Sequence, residues 1–551
     1  MAFYGIPTPG LALTASTAGD TIQLFNNSTA VVSANTIIGL NGNDIINLGA
    51  EGYTANSIAS GQASFVLSGL SGSGVASGTI IVSGLLLGAD AIYSTGNSFS
   101  TSNSTTGAGV VSVSGSVTVS GVVTSENAVR RIVASQIFGN QDNDSIAFGT
   151  ELVSLSNSTI GGGAGNDVIG TYTYVNQQWA ASRIATANSL ISNSLIEGGG
   201  GNDIINISTT GSFSTATLQG GAGNDSISIL AVGNADATQF LGGGDSDLIS
   251  GTVDIFSGST IAGGGGNDTI YVDASGISIT LLAGDVFNTS DAVYDGSDNI
   301  TIDVISGSSI SVQGGGGNDS IVFSALGGTN YLAGNLGNDT ISVKDTFSAS
   351  TVYGGAGNDS ILISAGFIGG SLVFGGGDKD TINFAGGNLD SGVSFAGTVF
   401  GGLGADRFVA SGAVSGGGTL GVTFGYSAYA DSTISAMDSI AIGTAATGVY
   451  VLDFVPAGLS LGSFSGSLAT GSNGVVTFTS TMDSDVTSRY NVINADMTTL
   501  GATVTFKDGA GVNYVFIQGG TSDDLITQVG QTASGATISL NGGKLITIDT
   551  L

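Results

Sequence analysis

One short unit recurs through this chain and limits what it can fold into. Its clearest copy is Gly354-Gly355-Ala356-Gly357-Asn358-Asp359-Ser360-Ile361-Leu362-Ile363: a glycine-rich turn, one carboxylate, then a short apolar strand. The aspartates of the good copies are Asp44, Asp144, Asp167, Asp203, Asp225, Asp247, Asp268, Asp319, Asp339, Asp359, Asp380 and Asp406. From Asp144 onward, most successive spacings are 20 to 23 residues. A unit this short cannot bury an apolar face alone. Repetition at a fixed period lets neighbours bury each other, which is the logic of a solenoid.

A second regularity runs with the first. Two residues before each motif's first glycine stands an apolar side chain: Ile37, Ile137, Ile160, Ile196, Leu218, Phe240, Ile261, Val312, Leu332, Val352, Val373 and Val399. More follow two and four residues after the aspartate, as at Ile227 and Ile229 or Ile361 and Ile363. Alternate residues of a strand share a face, so these positions line one interior. Each such side chain stabilises by roughly 1.5–3 kcal/mol on burial. The pattern predicts an all-β chain, a parallel β-roll or β-helix solenoid of about 20 residues per turn, with a β-rich cap at its C-terminal end.

Composition narrows the chemistry. Glycine is 94 of 551 residues and proline 3, without the three-residue period of collagen. A hydrophobic content of 41% argues against disorder. Nine basic against 41 acidic residues give a net charge of −32, which argues against nucleic acid and anionic membrane surfaces as partners. There is no cysteine and no histidine, so disulfides, zinc–thiolate sites and histidine-dependent catalysis fall away. No apolar run reaches the length of a membrane span. Residues 1–10 lack the basic and apolar segments of a secretory signal, so export is expected to use another route.

Three segments are expected: a β-rich region over 1–138 with few motifs, the regular repeats over 139–410, and a β-rich cap over 411–551. Between residues 50 and 135 the alternation of apolar and small polar residues fits either a solenoid that continues without metal or a separate β-domain. The long gap after Asp167 holds an insertion, residues 171–187, with Tyr172, Tyr174 and Trp179. Weak copies at Asp20, Asp90 and Asp298 read as ordinary turns.

The turn itself suggests a metal. Glycines at the first, second and fourth positions allow a path that a Cβ blocks; Gly162, Gly220, Gly314 and Gly354 open four complete copies. Such a turn aims carbonyl oxygens inward, and a carboxylate arrives at the sixth position. A donor set of oxygen alone suits Ca²⁺ better than Mg²⁺. One loop offers too few oxygens for the six to eight that calcium takes, whereas two stacked loops suffice.

These residues resemble the RTX proteins, whose nonapeptide is Gly-Gly-x-Gly-x-Asp-x-hydrophobic-x. Residues 354–362 match it fully, as do 162–170, 220–228 and 314–322. The resemblance implies a parallel β-roll with Ca²⁺ between loops and secretion through an uncleaved C-terminal signal. Residues 401–408 look like a last repeat, 435–442 like a capping strand, 512–517 and 523–526 like closing strands, and 545–551 like the signal. The departure is that the motif occurs once per turn instead of in tandem. The opposite turn, as at residues 211–215, lacks the carboxylate, so a single column of Ca²⁺ along one edge is expected.

The functional expectation is an extracellular, calcium-dependent structural protein at the cell surface. It is read as a surface-layer or filament subunit that assembles with its own copies through open solenoid ends, with cell-surface polysaccharide as a further partner. A viral appendage or decoration protein is one alternative, and a carbohydrate-active β-helix enzyme another. For the enzyme the only cluster on offer is Asp483, Asp485, Arg489 and Tyr490, expected to be a loop of the cap. Arg130-Arg131 reads as a solvated pair.

Overall fold

The computed structural model describes side chains over residues 155–170, 190–284, 296–384, 397–409, 422–441, 452–453 and 459–529, with brief gaps inside these stretches. Elsewhere it describes strand backbone alone. The chain divides into two compact units, Met1–Tyr294 and Asp295–Leu551.

In the first unit each turn of about 22 residues lays down three strands, for example Leu195–Gly200, Ile204–Thr209 and Ser212–Ser214. Each pairs in parallel with its counterpart one turn on, so three parallel sheets face one interior. The predicted ladder is the core: Ile160, Ile196, Leu218, Phe240 and Ile261 stand in register and all are buried. A second ladder, Ile169, Ile205, Ile227, Ile249 and Ile270, faces it. Phe240 makes edge contacts with Phe213 and Phe256, at ring-centroid distances of 6.2 and 6.0 Å. The strand register also runs backward through Ile137, Leu86, Ile58 and Ile37 to Leu13. Within residues 50–135 the described strands Ser57–Ala59, Ile81–Val82, Leu85–Leu87 and Ala91–Thr95 pair in parallel with neighbouring turns, while Val110–Ser112 and Val122–Thr124 pair antiparallel with Ala91–Thr95 and Ser98–Ser100. The insertion after Asp167 is a β-hairpin in which Tyr174 lies opposite Trp179.

The second unit winds in the same way, with turns of 20 to 21 residues from Val312 to Val373 and of 25 to 28 from there to Leu452. Val312, Leu332, Val352, Val373, Val399, Phe424 and Leu452 form one ladder. Ile300, Ile321, Ile341, Ile361, Ile382, Phe408 and Ile440 form the other. An exposed end of such sheets is a row of unpaired backbone groups that invites pairing. Here the C-terminal end is covered by the expected β-rich cap. Leu525–Val529 adds in parallel to Asp438–Ile442, and Leu545–Asp549 adds antiparallel to Val449–Phe454. The covering piece is a meander of Ala502–Lys507, Asn513–Ile517 and Leu525–Val529 with one helix, Val486–Asp496. Its own core gathers Ile493, Met497, Val504, Phe506, Tyr514 and Phe516.

Candidate calcium centre

In each turn the motif forms a tight corner between two sheets, and the corner delivers its aspartate inward. One carboxylate oxygen is consumed by the backbone. The N–H of Asp203 donates to Oδ1 of Asp225 at 2.7 Å, and Asp225 does the same to Asp247. In the second unit the chain of donation runs from Asp298 through Asp319, Asp339, Asp359, Asp380 and Asp406 to Asp438, at 2.8–2.9 Å. Each aspartate therefore clamps the turn before it. The neighbouring fifth position clamps the other way: Oδ1 of Asn338 accepts the N–H of Asn358 at 2.7 Å, and Oδ1 of Asn318 that of Asn338.

The other carboxylate oxygen has no such use. Oδ2 of Asp203, Asp225, Asp247, Asp339, Asp359, Asp380, Asp406 and Asp438 is buried without a hydrogen-bond partner. A buried anionic oxygen left unpaired is costly. Each of these oxygens, apart from that of Asp438, lies over the first glycine of its own turn. A Cβ placed on Gly354 would stand 2.4 Å from Oδ2 of Asp359 and 2.4 Å from the carbonyl oxygen of Gly375 in the next turn. Gly220, Gly314, Gly334 and Gly375 show the same convergence of a carboxylate oxygen and a next-turn carbonyl. At Gly162 the nearest atoms belong to Asp167. The absent side chain thus leaves a space bounded by hard oxygen donors of two turns, which fits Ca²⁺. Among the described residues no three carboxylates meet at one point; the donors are strung out one turn at a time.

Burial pushes these carboxylates up. Asp225, Asp359 and Asp406 rise to about 6, Asp203, Asp247 and Asp339 to about 7, and Asp380 to about 8. The N–H received from the preceding aspartate lowers each one in part, and neighbouring carboxylates add to the rise. Asp438, fully enclosed, is raised well above the usual range.

The predicted aspartates Asp167 to Asp268 in the first unit and Asp319 to Asp406 in the second each fall on the motif edge of their own unit and are buried. Asp44 and Asp144 lie outside the described residues. Two members were not anticipated. Asp298, read from sequence as an ordinary turn, is buried and its N–H donates to Oδ1 of Asp319. Its copy lacks the first two glycines but keeps Gly296 at the fourth position and stands 21 residues before Asp319, so spacing alone could have found it. Asp438 closes the row with no glycine turn; the signal was Asp438-Ser439-Ile440-Ala441-Ile442, the motif's second half. The register pairing Phe400 with Gly425 brings Tyr426 to the place of Gly401. Tyr426 is buried there and donates to Thr527 Oγ1 of the cap at 3.1 Å.

The opposite edge is different. Thr238 and Asn330 donate their N–H groups to Ser259 Oγ and Ser350 Oγ, and Ser350 Oγ donates to the Gly328 carbonyl. Hydroxyls there both accept and donate.

Asp359→Asn separates the two jobs of the carboxylate. Asparagine keeps the acceptor for the Asp339 N–H but replaces the ion-facing oxygen with an amide. The expected result is a sign reversal: a higher unfolding midpoint than wild type in metal-free buffer at pH 8, and a lower one in millimolar calcium, read by circular dichroism. A loss of stability of equal size in both buffers would rule out an ion at this position.

The family model described as RTX calcium-binding nonapeptide repeat (4 copies) matches residues 33–51, 191–206, 210–228, 258–275 and 346–366. No curated protein and no solved structure matches the chain. The matched segments carry Asp44, Asp203, Asp225, Asp268 and Asp359, and the last four of these stand in the buried row. The chain carries RTX calcium-binding nonapeptide repeats, and in the described residues they are wound as corners of a parallel β-solenoid.

Proposed function

We propose that this protein is an extracellular structural subunit whose solenoid is completed by a column of Ca²⁺ along one edge and which assembles with its own copies into a surface layer or filament. The single observation that carries the calcium part is the row of buried, unpartnered Oδ2 atoms. The calcium ligands are the aspartates from Asp167 to Asp406 with the backbone carbonyls of the first glycines, and Asp44 and Asp144 by the same pattern. Cation binding to the folded form alone then drives folding by mass action. In a calcium-poor cytoplasm the carboxylates repel and keep the chain loose for export.

Two features support a structural role. The polar cluster in the cap is spent on architecture: Asp485 caps the helix by accepting the Ser488 N–H at 2.8 Å. Arg489 donates to the Asp483 carbonyl and packs over Phe478, and Tyr490 donates to Asp524 at 2.9 Å. The outer faces meanwhile carry apolar side chains suited to lateral contact, such as Ile305 at 70% and Val232 at 56% exposure.

Electron microscopy of the native protein with calcium and after EGTA tests this reading. Ordered sheets or filaments that dissolve on chelation are expected. Monomers under both conditions would remove the assembly claim, and virion-like spikes would favour the appendage reading. A circular dichroism spectrum indifferent to EGTA would remove calcium dependence.

A further inference from the structure

Two turns depart from the motif in the same way, one in each compact unit. They read Gly242-Gly243-Gly244-Asp245-Ser246-Asp247 and Gly375-Gly376-Gly377-Asp378-Lys379-Asp380. The fourth position, elsewhere glycine in the complete motifs, is an aspartate. Its backbone keeps the left-handed conformation, with φ of 70° at Asp245 and 71° at Asp378. That conformation is unfavourable for side-chain-bearing residues, least so for Asn and Asp. Local strain of this kind persists where the surroundings hold it and is concentrated at functional sites.

The consequence is an extra exposed carboxylate at the mouth of the buried row. Asp245 bears electrostatically on both Asp225 and Asp247, and Asp378 on both Asp359 and Asp380. Each extra group thus adds its negative charge to two successive column carboxylates. Those four have buried, unpartnered Oδ2 atoms facing the turn interior. The third residue of both turns is glycine, and a Cβ added at Gly244 or Gly377 would meet nothing within 4 Å, as at Gly200 in a turn with the complete motif. At the Asp245 turn the cross-turn bond from the Gly223 N–H to the Gly244 carbonyl is long, 3.3 Å, against 2.7 Å for Gly201 to Ala222.

We propose that the gaps Asp225/Asp247 and Asp359/Asp380, each completed by the fourth-position carboxylate Asp245 or Asp378, are the two tightest divalent-cation sites of the protein, one per unit, and are the last to empty. This rests on the calcium reading above. An added unit charge about 6 Å from a divalent ion strengthens binding on the order of tenfold in a water-like dielectric. Direct or water-bridged contact by the extra carboxylate adds to that.

Stepwise calcium stripping of the full chain, followed by native mass spectrometry, tests the assignment. The wild type is expected to pause at two retained Ca²⁺ ions. Asp245→Gly and Asp378→Gly should each pause at one, and the double substitution should show no pause. Both substitutions restore the motif's glycine at a left-handed position, so the fold in saturating calcium, checked by circular dichroism, should be kept. A two-ion plateau that survives both substitutions, or ions lost without any plateau, overturns this proposal while leaving calcium binding intact. A wild type that carries no calcium at all removes the reading beneath it instead.

Discussion

Stripped of metal, the protein should lose stability as the pH rises from 5 to 8.5, and in calcium it should not. The unfolded-state value of an aspartate is about 3.8, whereas Asp203, Asp225, Asp247, Asp339, Asp359, Asp380 and Asp406 sit at about 6 to 8 in the fold. The folded chain therefore binds more protons than the unfolded chain between these limits. The penalty is absent below about 3.8, grows steadily as the pH rises from there to the folded values of about 6 to 8, and is complete above them. A rise from 3.8 to about 7 corresponds to about 4 kcal/mol for one carboxylate. Seven such groups, discounted several-fold for mutual coupling and water penetration, still rival the ~5–15 kcal/mol that holds a domain together. Calcium inverts the sign, because it needs the anionic oxygen and competes with the proton. Thermal unfolding by circular dichroism reads both limbs. In metal-free buffer the midpoint should fall by about 10 °C or more between pH 5 and 8.5; in saturating calcium it should hold or rise. A metal-free midpoint that is flat or climbs with pH would mean that the buried oxygens are neutralised by something other than protons or cations.

Gly355→Ala is expected to be among the most damaging single methyl additions in the molecule. Its φ is +128°, which L side chains rarely adopt, and the new Cβ would stand 2.0 Å from the Asn335 carbonyl oxygen and 2.6 Å from its carbon. Both neighbours are backbone of the preceding turn, locked in register by the Asn335–Gly355 pair, so neither can swing aside. Strain and overlap together should cost more than about 4 kcal/mol. Gly377→Ala is the matched control. It lies in the next turn, its φ is ordinary and its Cβ meets open space, so the change should stay within about 0.5 kcal/mol. Chemical denaturation of the two variants in calcium should show one large shift and one small one. Equal shifts would mean that the turns do not stack as described.

The period was legible because it is carried twice, by the aspartate and by the apolar residue before the first glycine. Ile196, Leu218 and Phe240 differ in shape but share a register. The site was legible only where glycine and aspartate coincide. Asp438 shows why, since its Oδ1 accepts the Asp406 N–H without a glycine turn of its own. The clamp on the preceding turn needs a carboxylate and a strand behind it, whereas the glycines matter for the space beside Oδ2. A copy that keeps the first function and drops the second is invisible to the full motif. The cap was less legible still. Its helix, Val486–Asp496, buries only Ile493 among its own residues, so no apolar stripe marks it. Its start was hidden in the polar cluster around Asp485, whose side chain is the helix cap.

The opposed clamps give the winding a direction. Loss of a column aspartate frees the N–H of the turn before it, while loss of a fifth-position asparagine frees the N–H of the turn after it. Damage to the inner row therefore spreads toward the N-terminus of a unit, and damage to the outer row toward its C-terminus. A turn that loses its own aspartate is still held through its N–H by the next one. Pulled from its two ends, the same coil should tear in two different orders, as a zipper with a preferred side does.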